Sequence, residues 1–371
     1  MRAMIMAAGL GTRLMPLTAT LPKPMVPIAG RPAVGHILDL LRRHGVTEVV
    51  VNLHHFPHTI RDYFGDGSHM GMSIRWAYEE ELLGTAGGVK NNQSFLKGGP
   101  FLVMSGDSLT DLDLTVLAAG HRSTGGIATL VTKQVDDTTQ YGVVVVDEHR
   151  RILGFQEKPA PEDALSDLCN CGIYLFEPEV FEYIPADTFY DFGRQVFNDL
   201  LAKDLPFHTH PISGYWSDVG SLEDYRQGNF DALAGLVGIE SVGRALESAH
   251  PSGGDATVRV GRGAEIAPGA ILVGPVVVGD GCSIADGAAI RGPVVLGSGT
   301  VVGPGARVAR SILWEDCEIA GDCSVEGSVL ARRVSCDIGA HVRDGVIGEA
   351  CRVGAGREVV GAALDAGTAV V

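Results

Sequence analysis

Apolar runs alternate with amphipathic segments at the start of the chain. Residues 4–8 and 49–51 are apolar runs of strand length, and the segment between them places four apolar residues on one helical face. These are Val34, Ile37, Leu38 and Leu41. The pattern predicts a βαβ unit, because a helix is the usual connection between two parallel strands.

Four further apolar runs continue this alternation, at residues 101–104, 127–131, 143–146 and 173–176. Helical periodicity lies between some of them, near residues 59–64, 178–184 and 194–203. We therefore predict an α/β domain with a mixed, mostly parallel sheet. Ligands of such sheets bind beyond the carboxyl ends of the strands, so the turns after Ala8 and Met104 are candidate sites.

From residue 260 the rhythm changes to a period of six. The first row is Val260, Ile266, Leu272, Val278, Ile284, Ile290, Leu296, Val302 and Val308. A second row of small or β-branched residues precedes it by two positions: Ala264, Ala270, Val276, Cys282, Ala288, Val294, Thr300 and Ala306. This period predicts a β-helix of hexapeptide repeats. The phase slips over residues 311–318, and we expect an insertion or an outward loop there, near Trp314.

These rhythms predict three parts of the chain. Residues 1–231 form the α/β domain, residues 232–257 form a helix and a linker, and residues 258–371 form the β-helix. The flat sides and open ends of a β-helix favour self-association, so we expect a homo-oligomer held partly through this part.

The composition disfavours several classes of protein. A formal net charge of −16 disfavours nucleic acid as a partner. Seven cysteines show no framework spacing, and we interpret Cys169 and Cys171 as a small buried pair on a strand. We expect no signal peptide and no membrane span, hence a cytoplasmic protein.

The sequence A-A-G-L-G-T-R-L over residues 7–14 joins a strand to a glycine-rich turn. Gly9 and Gly11 let backbone N–H groups approach phosphate oxygens, and Arg13 adds a planar set of donors. Lys23 follows between two prolines, which predicts a stiff extended segment. Leu14 stands where the third glycine of a dehydrogenase motif would be, and no kinase P-loop is present.

This stretch, G-x-G-T-R-L-x-P-L-T followed by P-K-P, resembles the signature of the sugar-1-phosphate nucleotidyltransferases, and over its full length the chain is most similar to the mannose-1-phosphate guanylyltransferase group. Met15 departs from the polar or basic residue common there. The resemblance implies a Rossmann-like domain and a left-handed β-helix. It also implies transfer of a nucleotidyl group from a nucleoside triphosphate, first of all GTP, to a sugar 1-phosphate such as mannose 1-phosphate, with release of pyrophosphate.

By the same resemblance, Arg13, Lys23, Asp107 and Asp218 are the catalytic residues, and Asp107 and Asp218 hold Mg²⁺. Carboxylates in this number suit Mg²⁺, which keeps several waters and phosphate oxygens as ligands. The implied nucleotide-binding residues are Ala8, Gly9, Gly11, Thr12, Arg13, Glu81, Gly84, Thr85, Gly106 and Asp107. The implied sugar-phosphate residues are Gly142, Glu157, Lys158, Asn170 and Gly172.

Several alternatives stay open at this point. UTP, dTTP or ATP could replace GTP, and glucose 1-phosphate or a cyclitol phosphate could replace mannose 1-phosphate. The acidic run before Leu82 either accepts hydrogen bonds from guanine or is a solvated surface. An acyltransferase site in the β-helix has only His341 as a base, and a non-catalytic nucleotide-sugar sensor is the third hypothesis. We expect His54, His55 and His58 to be exposed loop histidines.

Overall fold

The computed structural model describes residues 1–245 and 257–371. The chain divides into two compact units, one formed by Met1–Leu10 with Val34–Asp218 and the other by Gly11–Ala33 with Val219–Val371. Gly11–Ala33, here named the signature segment, therefore belongs to the same unit as the C-terminal part. Residues 246–256 of the predicted linker lie outside the described residues, and the domain boundaries stay a prediction.

The strands of residues 1–217 are, in chain order, β1 (Arg2–Met6), β2 (Pro27–Ile28), β3 (Arg31–Pro32), β4 (Glu48–Leu53), β5 (Ser73–Tyr78), β6 (Phe101–Ser105), β7 (Leu109–Thr110), β8 (Ala128–Gln134), β9 (Gly142–Val146), β10 (Ile152–Glu157), β11 (Leu168–Phe176), β12 (Phe207–Pro211) and β13 (Trp216–Ser217). Nine of them form the mixed sheet of the first unit, in the order β10-β9-β11-β6-β1-β4-β5 with β8 beside β11 and β12 beside β8. The predicted βαβ unit is confirmed, because β1 and β4 are parallel neighbours.

The helices are α1 (Ala33–Arg43), α2 (Pro57–Phe64), α3 (Gly84–Asn91), α4 (Gln93–Leu96), α5 (Leu114–Thr124), α6 (Phe197–Ala202) and α7 (Leu222–Leu233). The four apolar residues predicted on one face of α1 are all buried. The predicted helix at 178–184 is a 3-10 helix, Pro178–Tyr183, and a π-helical turn, Phe192–Val196, precedes α6. The Ser221 side chain caps α7, which ends at Leu233. The further helix that the sequence predicts within residues 232–257 is not seen over the described residues 234–245. No helix in the described part of the chain is long and apolar enough to span a bilayer.

An aromatic cluster fills the core on one side of this sheet. Phe176 stacks on Phe192 at 5.0 Å between ring centroids, and Phe192 in turn stacks on Phe197 at 5.8 Å. Each of these rings is almost completely buried. Burial of aromatic rings is a large apolar contribution to stability, so this cluster fixes β11 and the π-helical turn against each other.

The C-terminal part is a parallel β-helix whose strands stack in three columns. One column is Glu265–Ile266, Ser283–Ile284, Val301–Val302, Glu318–Ile319, Ser335–Cys336, Arg352–Val353 and Ala369–Val370. Another is Ile271–Val273, the first half of Ala289–Leu296, the first half of Arg307–Leu313, Ser324–Glu326, His341–Arg343 and Glu358–Val360. The third is Val258–Val260, which also pairs with Arg244–Ala245, then Val276–Val278, the second halves of Ala289–Leu296 and Arg307–Leu313, Val329–Leu330, Val346–Ile347 and Ala363–Leu364.

Both six-residue rows point into this β-helix, as predicted. From Val276 onward their members are buried, whereas the first coil, with Val260 and Ile266, is only half-buried because it ends the stack. Five cysteines also lie inside it, and burial raises the pKa of Cys336 to about 12. Cys169 and Cys171 are buried on β11, as the sequence indicated.

The prediction of a loop near Trp314 is wrong, because the coils become shorter there. Val276 pairs with Val294, eighteen residues on, whereas Val294 pairs with Ser311, seventeen residues on. The corner formed by Gly292 and Pro293 is replaced in the next coil by Arg310 alone, at a φ of 46°. A single residue in the left-handed region turns the chain as two residues did before, and Trp314 stays buried.

Candidate functional site

The glycine-rich turn is built by contacts within the signature segment. Gly11 has a φ of 66°, and its carbonyl accepts a hydrogen bond from the Thr18 hydroxyl at 2.8 Å. A Cβ on Gly11 would lie 2.8 Å from the Cβ of Lys23, so only glycine leaves room for that side chain. Arg13 is exposed in the 3-10 turn Thr12–Leu14.

Lys23 is 8% exposed, unlike a solvated loop lysine. The sequence predicted an extended segment here, but Pro22 alone is extended and Lys23 begins the 3-10 turn Lys23–Met25. Pro24 fits the first turn of such a helix because it has no N–H to satisfy. The lysine stem is therefore held by Gly11 and by a short turn.

In the first unit, a network of buried polar groups follows the end of β1. The Ala7 N–H donates to Oδ1 of Asn52 at 2.7 Å, and Nδ2 of Asn52 donates to Oε1 of Glu79 at 2.7 Å. Asn52 and Glu79 are both at most 4% exposed. Asn52 of β4 and Glu79, directly after β5, thus hold the segment that continues into Ala8 and Gly9. Gly9 is exposed to solvent. Sequence reasoning missed Asn52, although an amide inside an apolar strand was a visible signal.

The segment from Glu81 to Thr85 leads into α3, which begins at Gly84. Gly84 has a φ of 74°, and a Cβ there would lie 2.6 Å from the Tyr190 carbonyl oxygen. The Thr85 hydroxyl donates to Oδ2 of Asp191 at 2.9 Å and accepts from the Phe192 N–H at 2.9 Å. The Thr85 hydroxyl therefore makes its hydrogen bonds within the protein, whereas the Glu81 side chain is exposed.

Asp107 follows β6 in the turn that the strand pattern indicated. The Ser105 hydroxyl donates to Oδ1 of Asp107 at 2.5 Å, and the Gly106 N–H donates to the Met6 carbonyl at 2.8 Å. Gly172, at a φ of 67°, faces Ser105 from the irregular part of β11. These contacts fix the direction in which the Asp107 carboxylate points.

Asp218 follows β13, and Lys133 of β8 lies in the same region. Burial raises the pKa of the Cys171 thiol. The positive charge of Lys133 lowers this pKa, whereas the negative charge of Asp218 raises it. Nζ of Lys133 donates to the Trp216 carbonyl at 3.2 Å, and Nε1 of Trp216 donates to the Cys171 carbonyl at 3.0 Å. The predicted metal ligand Asp218 thus has a lysine near it that the sequence did not single out.

Glu157 lies at the end of β10, opposite Gly142 in the register of β9. A Cβ on Gly142 would lie 3.2 Å from Oε2 of Glu157, and a Cβ on Gly193 would lie 2.7 Å from the same oxygen. Although the side chain is exposed, partial desolvation by the surrounding protein and the nearby Asp191 carboxylate raise the pKa of Glu157. Two glycines therefore make room for one carboxylate.

Asn170 and Lys158 complete the predicted sugar-phosphate set. Oδ1 of Asn170 accepts from the Gly172 N–H at 3.1 Å, and its Nδ2 donates to the Tyr174 hydroxyl at 2.8 Å. Lys158 is exposed at a φ of 49°, and its N–H donates to the Tyr141 carbonyl at 3.1 Å. Asp191, which accepts from the Thr85 hydroxyl, and Gly193, which lies against Glu157, belong to no recognisable motif, and sequence reasoning missed them.

The histidines do not form a metal site among the residues that the structure describes. His54 and His55 are half-buried rather than exposed, whereas His58 is exposed as predicted. Nδ1 of His54 lies 2.9 Å from the Glu79 carbonyl oxygen. His341 is exposed on the β-helix, 2.8 Å from the Ser324 hydroxyl. The role of each predicted site residue stays a prediction.

Two family models match this chain. The model described as Nucleotidyl transferase matches residues 2–235, and the one described as GMPPB C-terminal domain matches residues 272–364. A mannose-1-phosphate guanylyltransferase of Mycobacterium tuberculosis is 36% identical over 73% of this chain and 78% of its own length. A UTP–glucose-1-phosphate uridylyltransferase of Synechocystis is 44% identical over 65% of this chain, and the match spans 64% of that protein.

Solved structures share the architecture of about two thirds of the chain. HddC from Yersinia pseudotuberculosis, complexed with GMP-PN, is 27% identical with a TM-score of 0.53 and covers 62% of this chain and 97% of its own. A structure described as a putative glucose-1-phosphate thymidylyltransferase of Bacillus anthracis is 23% identical and has a TM-score of 0.58. It covers 65% of this chain and 97% of its own, and at this identity it supports the fold alone. With the matched models and relatives, these findings establish that the chain belongs to the sugar-1-phosphate nucleotidyltransferase family.

Proposed function

We propose that this protein transfers a guanylyl group from GTP to mannose 1-phosphate, giving GDP-mannose and pyrophosphate. The observation that carries the proposal is the match to a guanylyltransferase over most of both chains, together with the C-terminal domain model that follows the catalytic part. The predicted homo-oligomer and cytoplasmic location belong to the same proposal.

The reaction is an in-line displacement at the α-phosphorus. An oxygen of the sugar phosphate forms the new P–O bond while the bond to the pyrophosphate oxygen breaks, and the negative charge leaves with pyrophosphate. Arg13 binds the β- and γ-phosphates, and Lys23 contacts the reacting phosphates. Since Lys23 is held by Gly11 and by its own turn, little side-chain freedom is lost on binding.

The residues present fit a divalent metal. Asp107 and Asp218 supply carboxylate oxygens, and the Ser105 hydroxyl orients one of them at 2.5 Å. Such a set suits Mg²⁺, which binds proteins through one or two carboxylates and takes its other ligands from phosphates and water. When bound, the ion neutralises phosphate charge.

The sugar is recognised by oxygen acceptors on β10 and β11. Glu157 accepts hydrogen bonds from sugar hydroxyls in its ionised form, and Asn170 offers the remaining acceptor capacity of its amide oxygen. Lys158 contacts the sugar phosphate. The Gly142 and Gly193 positions keep the carboxylate accessible, because a side chain at either would displace it.

Uridylyl transfer to glucose 1-phosphate is the second candidate, favoured by the 44% identity to the Synechocystis protein. A matrix of GTP, UTP, dTTP, ATP and CTP against mannose, glucose and cyclitol phosphates, scored by pyrophosphate release, decides between them. GTP with mannose 1-phosphate should give the highest kcat/KM. If another triphosphate exceeds GTP about tenfold, roughly 1.4 kcal/mol of transition-state binding, the guanylyl assignment is wrong.

A further inference from the structure

A buried carboxylate of the β-helix contacts the signature segment. The Glu349 side chain is only 8% exposed, and it accepts a hydrogen bond from the Thr20 hydroxyl. Arg333 also donates to this carboxylate, and Nη2 of Arg332 lies 3.6 Å from it. One side chain of a late coil is therefore bonded to a residue more than 300 positions earlier.

Contacts within the β-helix hold Glu349 in place independently of Thr20. Its backbone is held by the stacked coils, since the Gly367 N–H donates to the Glu349 carbonyl at 2.8 Å and the Ala350 N–H donates to the Arg332 carbonyl at 2.9 Å. Two arginines then compensate the buried charge, which would be costly without partners. The Thr20 hydroxyl thus meets an acceptor that has little freedom to move.

Thr20 occupies a sensitive place in the signature segment. It connects the 3-10 turn Leu17–Ala19 to the short link before Lys23. On one side, Thr18 holds the Gly11 carbonyl, and on the other, the Lys23 stem packs against Gly11. A shift of Thr20 would move both contacts, because fewer than four residues separate it from each.

We propose that Glu349 is a positioning residue for the nucleotide site: through Thr20 it holds the signature segment, which carries Arg13 and Lys23, so a residue of the β-helix affects the rate of the reaction. This inference rests on the proposed function, because it assigns the consequence of the contact to nucleotidyl transfer. It assigns the β-helix a part in the chemistry of the site, in addition to the self-association that the sequence predicts.

The test uses the full-length protein and three variants, Thr20→Val, Glu349→Gln and the double variant. Thr20→Val keeps the volume and removes the hydroxyl, and Glu349→Gln keeps the shape and removes the charge. Asp337→Asn is the matched control, because it breaks a different β-helix ion pair, with Nη2 of Arg352 at 2.7 Å, far from the signature segment in sequence. Hydrogen exchange of peptides from residues 11–25 and steady-state kinetics are measured on each.

We expect faster exchange of residues 11–25 in both single variants and not in the control. With the best substrate pair, kcat should fall about tenfold while KM for the sugar phosphate stays within about twofold, and the double variant should be no slower than the slower single one. Since a general loss of stability would speed exchange everywhere, exchange in β4 and β6 should stay unchanged.

Unchanged exchange at residues 11–25 would overturn the inference, and so would faster exchange with unchanged kcat. Additive losses in the double variant would also overturn it, because the two groups would then act separately. An inactive wild-type protein across the whole substrate matrix would instead contradict the proposed function, and the exchange experiment would still decide whether Glu349 holds the segment.

Discussion

Glycines around the candidate site and glycines at one corner of the β-helix are required for different physical reasons. Around the candidate site, Gly84, Gly142 and Gly193 are required by close neighbours, either a backbone carbonyl or the side chains of Phe155 and Glu157. In the β-helix, glycines such as Gly327 and Gly361 turn corners at positive φ, and Arg310 and Asp344 do so in equivalent positions. The comparison teaches that a glycine can be required for space at one point or for a backbone conformation alone, and Gly361, with nothing within 4 Å of an added Cβ, is an example of the second kind.

The largest effect should come from Gly84→Ala. The new Cβ would meet the Tyr190 carbonyl oxygen at 2.6 Å, and a backbone atom cannot move aside as a flexible side chain can. We expect kcat/KM for the nucleotide to fall about a hundredfold, because a misplaced binding loop loses alignment. Steady-state kinetics at varied triphosphate concentration measures this.

Gly45→Ala is the control for that substitution. Gly45 has a similar φ of 73°, and nothing lies within 4 Å of the added Cβ. It should cost about 1 kcal/mol in the free energy of unfolding and leave activity unchanged. Equal losses of activity in the two variants would contradict the view that crowding, not φ, matters at Gly84.

Gly142→Ala should act mainly on the sugar phosphate. Its Cβ would lie 2.5 Å from Cζ of Phe155 and 3.2 Å from Oε2 of Glu157, so the ring and the carboxylate must both shift. We expect KM for the sugar phosphate to rise about tenfold with a smaller change in KM for the triphosphate. Phe155→Leu in the same chain should restore part of the loss by making room, and no restoration would argue against the steric cause.

In the β-helix, Gly361→Ala should change stability rather than activity, because nothing lies within 4 Å of the added Cβ. At a φ of 60° an alanine costs about 1–2 kcal/mol in the free energy of unfolding, measured by denaturant titration. Arg310→Gly is the reverse experiment at an equivalent corner, and it should stabilise the protein by about 1 kcal/mol, less the small loss of the exposed ion pair with Glu326. A change of kcat in either variant would contradict the view that these corners affect stability alone.

The smallest effect is a shift in pH dependence. The raised pKa of Glu157 means that its carboxylate is protonated at a higher pH than an ordinary glutamate, so sugar binding should weaken on acidification from that higher pH. Asp191→Asn removes one cause of the raised pKa and should move this acid limb to lower pH. KM for the sugar phosphate against pH measures it, with Glu157→Gln as the profile that lacks the limb.

The sequence was most informative where a pattern repeats. The βαβ unit followed from the apolar spacing around Val34, and the β-helix followed from nine matches at every sixth position. The shorter coils after Arg310 were misjudged, because a one-residue deletion and an insertion both break the phase of a periodic row. Only the pairing of Val294 with Ser311 separates the two.

For the candidate site, the sequence predicted residues inside recognisable motifs but not the residues that support them. Asp107 follows a buried strand, which the apolar pattern places, but Asn52 and Asp191 act through hydrogen bonds between segments distant in the chain. The contact of Thr20 with Glu349 is the extreme case. Such partners depend on tertiary packing, and no local spacing encodes them.

The central claim is tested most directly by pyrophosphate release from GTP and mannose 1-phosphate, comparing the wild-type protein with Asp107→Ala. The account predicts release that requires both substrates and a divalent cation, and a loss of at least about a thousandfold in kcat in the variant, with its thermal unfolding unchanged. Equal rates in the two proteins, or no release by the wild type with any triphosphate and sugar phosphate, would contradict it.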